Sequence, residues 1–63
     1  MRINREKMAV AMIRSDMTQK RLAELSGVSR MTITAVAGGK SCSKETADKL
    51  AAVLGRDIIE ERS

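Results

Sequence analysis

The side chains best equipped to meet another molecule are gathered in one stretch, "SRMTITAVAGGK", residues 29–40. Their chemistry is recognition rather than bond-making. Arg30 offers a planar fork of N–H donors that suits paired acceptor atoms, and Lys40 offers a compact positive charge. The hydroxyls of Thr32, Thr34 and Ser41 donate or accept according to what faces them. Catalysis has little to work with. The chain has no His, and Cys42 is its single cysteine. A structural zinc site, a Cys-His dyad and a Ser-His-Asp triad are therefore all unavailable. No catalytic residue, metal or cofactor is expected.

These residues need a scaffold that presents them, and the preceding residues supply a candidate. Two short amphipathic segments, each opening on a hydroxyl residue (Thr18, then Ser29), are separated by Ser26-Gly27. Thr and Ser at those places read as helix N-caps. After Leu25-Ser26 the chain must leave its helix sharply, and glycine alone takes a left-handed conformation without steric cost. Val28 then fills the corner. Helix, short glycine turn and second helix at a steep angle make a helix-turn-helix over about residues 18–37. A purely structural αα-corner is the reading that the turn alone leaves open.

The second segment narrows the choice. At about 100° per residue, Ile33, Val36 and Ala37 share one face, while Met31, Thr34 and Ala35 share the other. That outward face lacks the Glu-Lys decoration of a solvated helix and suits close approach to a surface. Arg30 stands at its N-terminal end, where recognition helices present side chains to base edges. Arg30, Met31, Thr34 and Ala35 are thus the expected base-contacting set. Groups suited to phosphates surround them. Thr18 and Gln19 lie at a helix N-terminus, with its free N–H groups and positive dipole end. Thr32, the Gly39-Lys40-Ser41 loop, and Ser43-Lys44 at the next helix start add hydroxyls and ammonium groups. Such contacts position a protein on a duplex without reading it. Taken singly, Lys40 or Lys44 is better read as an ordinary solvated loop residue.

The rest of the chain sets the limits. Its 63 residues suffice for one domain, residues 1–63, and 43% of them are hydrophobic. With no aromatic residue and five Met, the core must be thin aliphatic packing between helices. The net charge of +4 suits a polyanion, although a merely soluble basic domain would carry it too. The apolar run "MAVAMI", residues 8–13, is too short for a membrane span or a signal-peptide core. A lone thiol that cannot form an internal disulfide makes the cytoplasm the expected compartment. In its basic loop Cys42 reads as incidental, with no second cysteine to resolve a sulfenic acid.

Asn4 opens a first helix to about Arg14, with Met8, Val10, Met12 and Ile13 as its apolar positions. In the second, Leu22, Ala23 and Leu25 form the inner face. Ser43 opens the fourth, with Ala47, Leu50, Ala51 and Leu54 inward and Gly55 just past its end. A short fifth turn begins at Asp57, with Glu60 as a capping-box partner and Ile58 as its anchor. No stretch alternates long enough to argue for a strand. The expected fold is all-α, a compact bundle of four helices plus a short fifth.

"MTQKRLAELSGVSRMTI", followed by "GGK" and later "KLAAVLG", resembles the helix-turn-helix domain of lambdoid phage repressors, Cro proteins and the wider Cro/CI (XRE) regulators. The likeness covers about residues 8–58. It implies a lambda-repressor-like five-helix domain binding operator DNA, usually as a dimer. By the family's positions Gln19 grips a phosphate, Arg30, Met31 and Ala35 face the bases, and Lys40 meets the backbone beyond the third helix. Two departures stand out. Many members pair an Arg late in the first helix with a Glu ending the third; Met12 and Ala37 hold those places here. Losing both charges together can be neutral or stabilising, where losing one strands the other. The usual Gln opening the recognition helix is Arg30-Met31 here, so no particular operator carries over.

The expected function is therefore sequence-specific binding of double-stranded DNA as a transcriptional regulator. The implied role is repression at an operator of palindromic half-sites, by a homodimer, through a recognition helix in the major groove. An antitoxin-like or adaptor module, gripping a protein with the same scaffold, is the alternative. Single-stranded nucleic acid is disfavoured because no aromatic side chain is present for bases to stack on. No membrane contact and no small-molecule ligand are evident.

Overall fold

Asn4, Thr18, Ser29 and Ser43 all stand in extended backbone at helix starts. Each side chain accepts a hydrogen bond from the main-chain N–H three residues on: Lys7 at 3.0 Å, Arg21 at 3.1 Å, Thr32 at 3.3 Å and Thr46 at 3.2 Å. These caps satisfy N–H groups that a helix start leaves without partners. They open α1 (Arg5–Arg14), α2 (Gln19–Ser26), α3 (Arg30–Ala37) and α4 (Lys44–Leu54). The structure, a computed structural model, describes residues 1–60.

The turns between helices are tight. Asp16, at φ 50°, turns the chain from α1 to α2, in the left-handed region that Asp tolerates better than most residues. Gly27 ends α2 at φ 76° and ψ 10°, its N–H donating to the Ala23 carbonyl at 3.0 Å. The Ser26 hydroxyl donates to the Leu22 carbonyl and accepts from the Val28 N–H at 3.2 Å, which pins both sides of the corner. Val28 itself is buried.

Packing follows from these directions. α2 lies against both α3 and α4, and α1 against α3 and α4. Met8, Leu22, Ile33, Val36, Leu50 and Ile58 are the largest fully buried side chains, with Ile3, Val28, Ala47 and Ala51 completing the core. Full burial of each large aliphatic side chain stabilises by about 1.5–3 kcal/mol. Leu25 is 49% exposed, contrary to its expected place on the inner face of α2. The inward direction of that helix runs between Leu22, Ala23 and Ser26, which leaves Leu25 at its edge. On α1 the core side is Met8, with Ala11 and Met12 half-buried, so Val10 and Ile13 face away.

The C-terminal part departs from expectation. Beyond Gly55 a single 3₁₀ turn, Arg56–Ile58, starts one residue earlier than expected, and no fifth α-helix follows among the described residues. The chain instead extends as β2 (Ile59–Glu60), antiparallel to β1 (Arg2–Ile3), with Arg2 opposite Glu60 and Ile3 opposite Ile59. The Asn4 N–H donates to the Ile58 carbonyl at 2.7 Å. Glu60 thus sits in a ladder and makes no capping box with Asp57. One helical turn would leave most of its backbone groups unpaired, whereas the ladder pairs them and seats Ile58 in the core. Of the charged end "EERS", Glu61, Arg62 and Ser63 lie outside the described residues. Among the described residues the other regular elements are all helices, and no helix is long and apolar enough to cross a membrane.

Candidate nucleic-acid interface

The outward face of α3 is built by what its inward face buries. Ile33 and Val36 are drawn into the core, so the 3.6-residue repeat turns Arg30, Met31 and Thr34 out to solvent. Met31 is 84% exposed, an unusual place for a large apolar side chain. Arg30, Met31, Thr34, Ala35 and Lys40 line one open concavity of about 630 Å³. The residues expected to contact bases and the loop lysine expected beside them therefore share one surface.

Gln19 belongs to the same surface through a contact between helices. The Thr34 hydroxyl donates to the Gln19 side-chain oxygen at 3.0 Å, joining the start of α2 to the middle of α3. This leaves the Gln19 NH₂ group to donate elsewhere, as a phosphate contact requires. It also means that Thr34 is engaged with Gln19 and not simply presented outward.

The remaining hydroxyls are largely occupied by their own helix starts. Thr18 accepts from the Arg21 N–H, and the Thr32 hydroxyl accepts from that of Ser29 at 2.9 Å. The Ser43 hydroxyl accepts from the Thr46 N–H and donates to the Thr46 hydroxyl at 3.1 Å. Ser41 is exposed in the loop. Lys44 stands apart: its ammonium lies 3.4 Å from Asp48 Oδ2, so its charge is partly offset within α4. Neither Ser43 nor Lys44 lines the concavity under α3.

The places of the absent Arg–Glu pair are held by Met12 and Ala37, both half-buried and packed against the core. No charged side chain is buried among the described residues, so the exchange of a charge pair for apolar contact leaves none stranded. Two basic residues that the sequence pattern did not single out, Arg2 and Arg5, lie beside Gly39. Nothing in local spacing announces them, because the chain separation is bridged only by the fold.

A helix-turn-helix family model matches residues 9–60, most of the chain and the whole of α2, its turn and α3. The chain belongs to the helix-turn-helix family, of the Cro/CI (XRE) type. That family is one of DNA-binding transcription regulators. Comparison with curated proteins and with solved structures gives no match. The two helices of the motif are α2 and α3, with Gly27 at the turn between them.

Proposed function

We propose that this helix-turn-helix protein is a sequence-specific regulator of transcription that occupies an operator in duplex DNA, most simply as a repressor. The reading rests on one observation above others. Arg30, Met31, Thr34 and Ala35 converge on a single open surface with Lys40 at its edge. On that surface Arg30 makes bidentate contact with guanine in the major groove, and Met31 and Ala35 meet thymine methyl groups. Gln19, Lys40 and the N-terminus of α2 hold phosphates and set the register. Thr18, Thr32, Ser41 and Ser43 add hydroxyl contacts at the margins.

A protein partner in place of DNA is the competing reading, and Ile13, 78% exposed on α1, is the observation on its side. Selection of bound sites from random duplex DNA, followed by a salt series on the selected site, separates the two. The regulator reading expects a recurring motif and an affinity that falls steeply with salt, as counterion release demands. No enriched motif, with binding indifferent to salt, would leave the protein-partner reading standing alone.

A further inference from the structure

Gly39 closes α3 at φ 101°, and two arginines from the other end of the sequence meet there. Arg2 Nη2 donates to the Gly39 carbonyl at 3.5 Å. Arg5 lies so close that a Cβ on Gly39 would stand 3.2 Å from Arg5 Cδ. Arg2, Arg5 and Gly39 line a second concavity of about 300 Å³, bordered by Glu6 and Glu60. It adjoins the surface under α3, because the next residue, Lys40, lines that one.

Arg2, Arg5 and Lys40 are all exposed, and none is in an ion pair among the described residues. By contrast Arg21, Lys44, Lys49 and Arg56 each face a carboxylate. Three like charges gathered around one glycine corner repel one another. The carbonyl groups ending α3 and the Glu6 and Glu60 carboxylates at the border offset part of that repulsion, without an ion pair to any of the three. A bound phosphate would offset more of it. We propose that Arg2 and Arg5 form, beside Lys40, a second phosphate-binding site that extends the DNA contact past the C-terminal end of the recognition helix. The proposal rests on the duplex-DNA reading above. The guanidinium fork suits a backbone phosphate, and Gly39, lacking a side chain, lets Arg5 lie flat against the corner.

The test uses a fluorescein-labelled mixed-sequence duplex of about 20 base pairs, roughly two helical turns. Phosphate contacts are blind to sequence, so no operator is needed. Anisotropy titrations over a salt series are run on the wild type, Arg2→Gln/Arg5→Gln, Arg2→Lys/Arg5→Lys and Lys49→Gln/Arg56→Gln. Each lost phosphate contact reduces the slope of log K against log salt by about 0.9. The Arg2→Gln/Arg5→Gln variant should lose about two units per bound subunit, and Arg2→Lys/Arg5→Lys should keep the wild-type slope. Lys49→Gln/Arg56→Gln, with the same net charge change on α4 and the 3₁₀ turn that follows it, should also keep it. Melting curves establish that each variant is folded; if Arg2→Gln/Arg5→Gln is not, the single variants Arg2→Gln and Arg5→Gln are read, each expected to lose about one unit per bound subunit. An unchanged slope in the Arg2 and Arg5 glutamine variants, or an equal loss in the Lys49→Gln/Arg56→Gln control, overturns the proposal. A wild type that binds without salt dependence overturns the DNA reading itself, and this site with it.

Discussion

At the residue scale, reading and gripping are assigned to different side chains, and substitution should separate them. Arg30 is the side chain on the α3 surface able to bond guanine O6 and N7 together, worth about 1–3 kcal/mol of discrimination. Arg30→Ala should therefore lose affinity mainly on the selected operator and flatten preference at one base pair in each half-site. Lys40→Ala should weaken all duplexes alike and reduce the salt slope by about one unit per subunit. Both mutants are measured on cognate and scrambled duplexes across a salt series; equal losses for Arg30→Ala on both would make Arg30 a phosphate contact. Cys42 provides a separate test of the loop. Burial pushes its thiol up, while the N-terminal ammonium nearby pulls more weakly the other way. The Met1 amino group donates to the Cys42 carbonyl at 3.0 Å, and the Cys42 N–H donates to Met1 at 2.8 Å. A raised pKa lowers the thiolate fraction at neutral pH, and the thiolate is the nucleophile. Iodoacetamide should label the native chain at pH 7 more slowly than the urea-unfolded chain. Equal rates would show that the loop gives the thiol no protection.

At the element scale, the corner between α2 and α3 is held by backbone conformation more than by packing around Gly27. A Cβ placed there meets nothing within 4 Å. The cost of a side chain arises from the positive φ alone, and it is largest for a β-branched residue. Gly27→Val should therefore destabilise by about 1–3 kcal/mol, a conformational penalty without an added clash. Gly27→Asn should cost clearly less, because Asn enters the left-handed region more readily. In a chain of this size about 1 kcal/mol shifts the melting temperature by roughly 4–8 °C. Thermal melts that placed both mutants within a degree of the wild type would remove the reason given for this glycine. The Thr34–Gln19 hydrogen bond is the second link across the corner, and it ties the middle of α3 to the start of α2.

At the scale of the whole molecule, one copy presents a single eight-residue helix, α3, for the proposed base contact. That is little contact for specificity, and the proposed homodimer doubles it by meeting two half-sites about one helical turn, roughly 34 Å, apart. Footprinting on the selected operator should show two protected half-sites in inverted orientation. A single protected half-site, with no repeat, would count against pairing. The core that supports this arrangement is small and wholly aliphatic, with Met8, Leu22, Ile33, Leu50 and Ile58 meeting at its centre.

Much of this was legible before any coordinates. The four N-caps, the left-handed Gly27 and the two faces of α3 follow from local chemistry: a hydroxyl or carboxamide three residues ahead of an orphan N–H, a missing Cβ, and a repeat of 3.6 residues. The open surface of Arg30, Met31, Thr34, Ala35 and Lys40 was legible for the same reason, since all five lie within one helix and its exit loop. What tertiary structure decided were the long-range pairings. The Arg2–Ile3 ladder with Ile59–Glu60 carries too few residues to show a two-residue period, so the chain end read as a helical stub. Arg2 and Arg5 gave no local signal of their place beside Gly39, and the Thr34 hydroxyl gave none of its bond to Gln19. Leu25 stands at the edge of its helix face because the direction of the core is set by where α3 and α4 pack. Periodicity fixes which residues share a face; only the packed partners fix which way that face points.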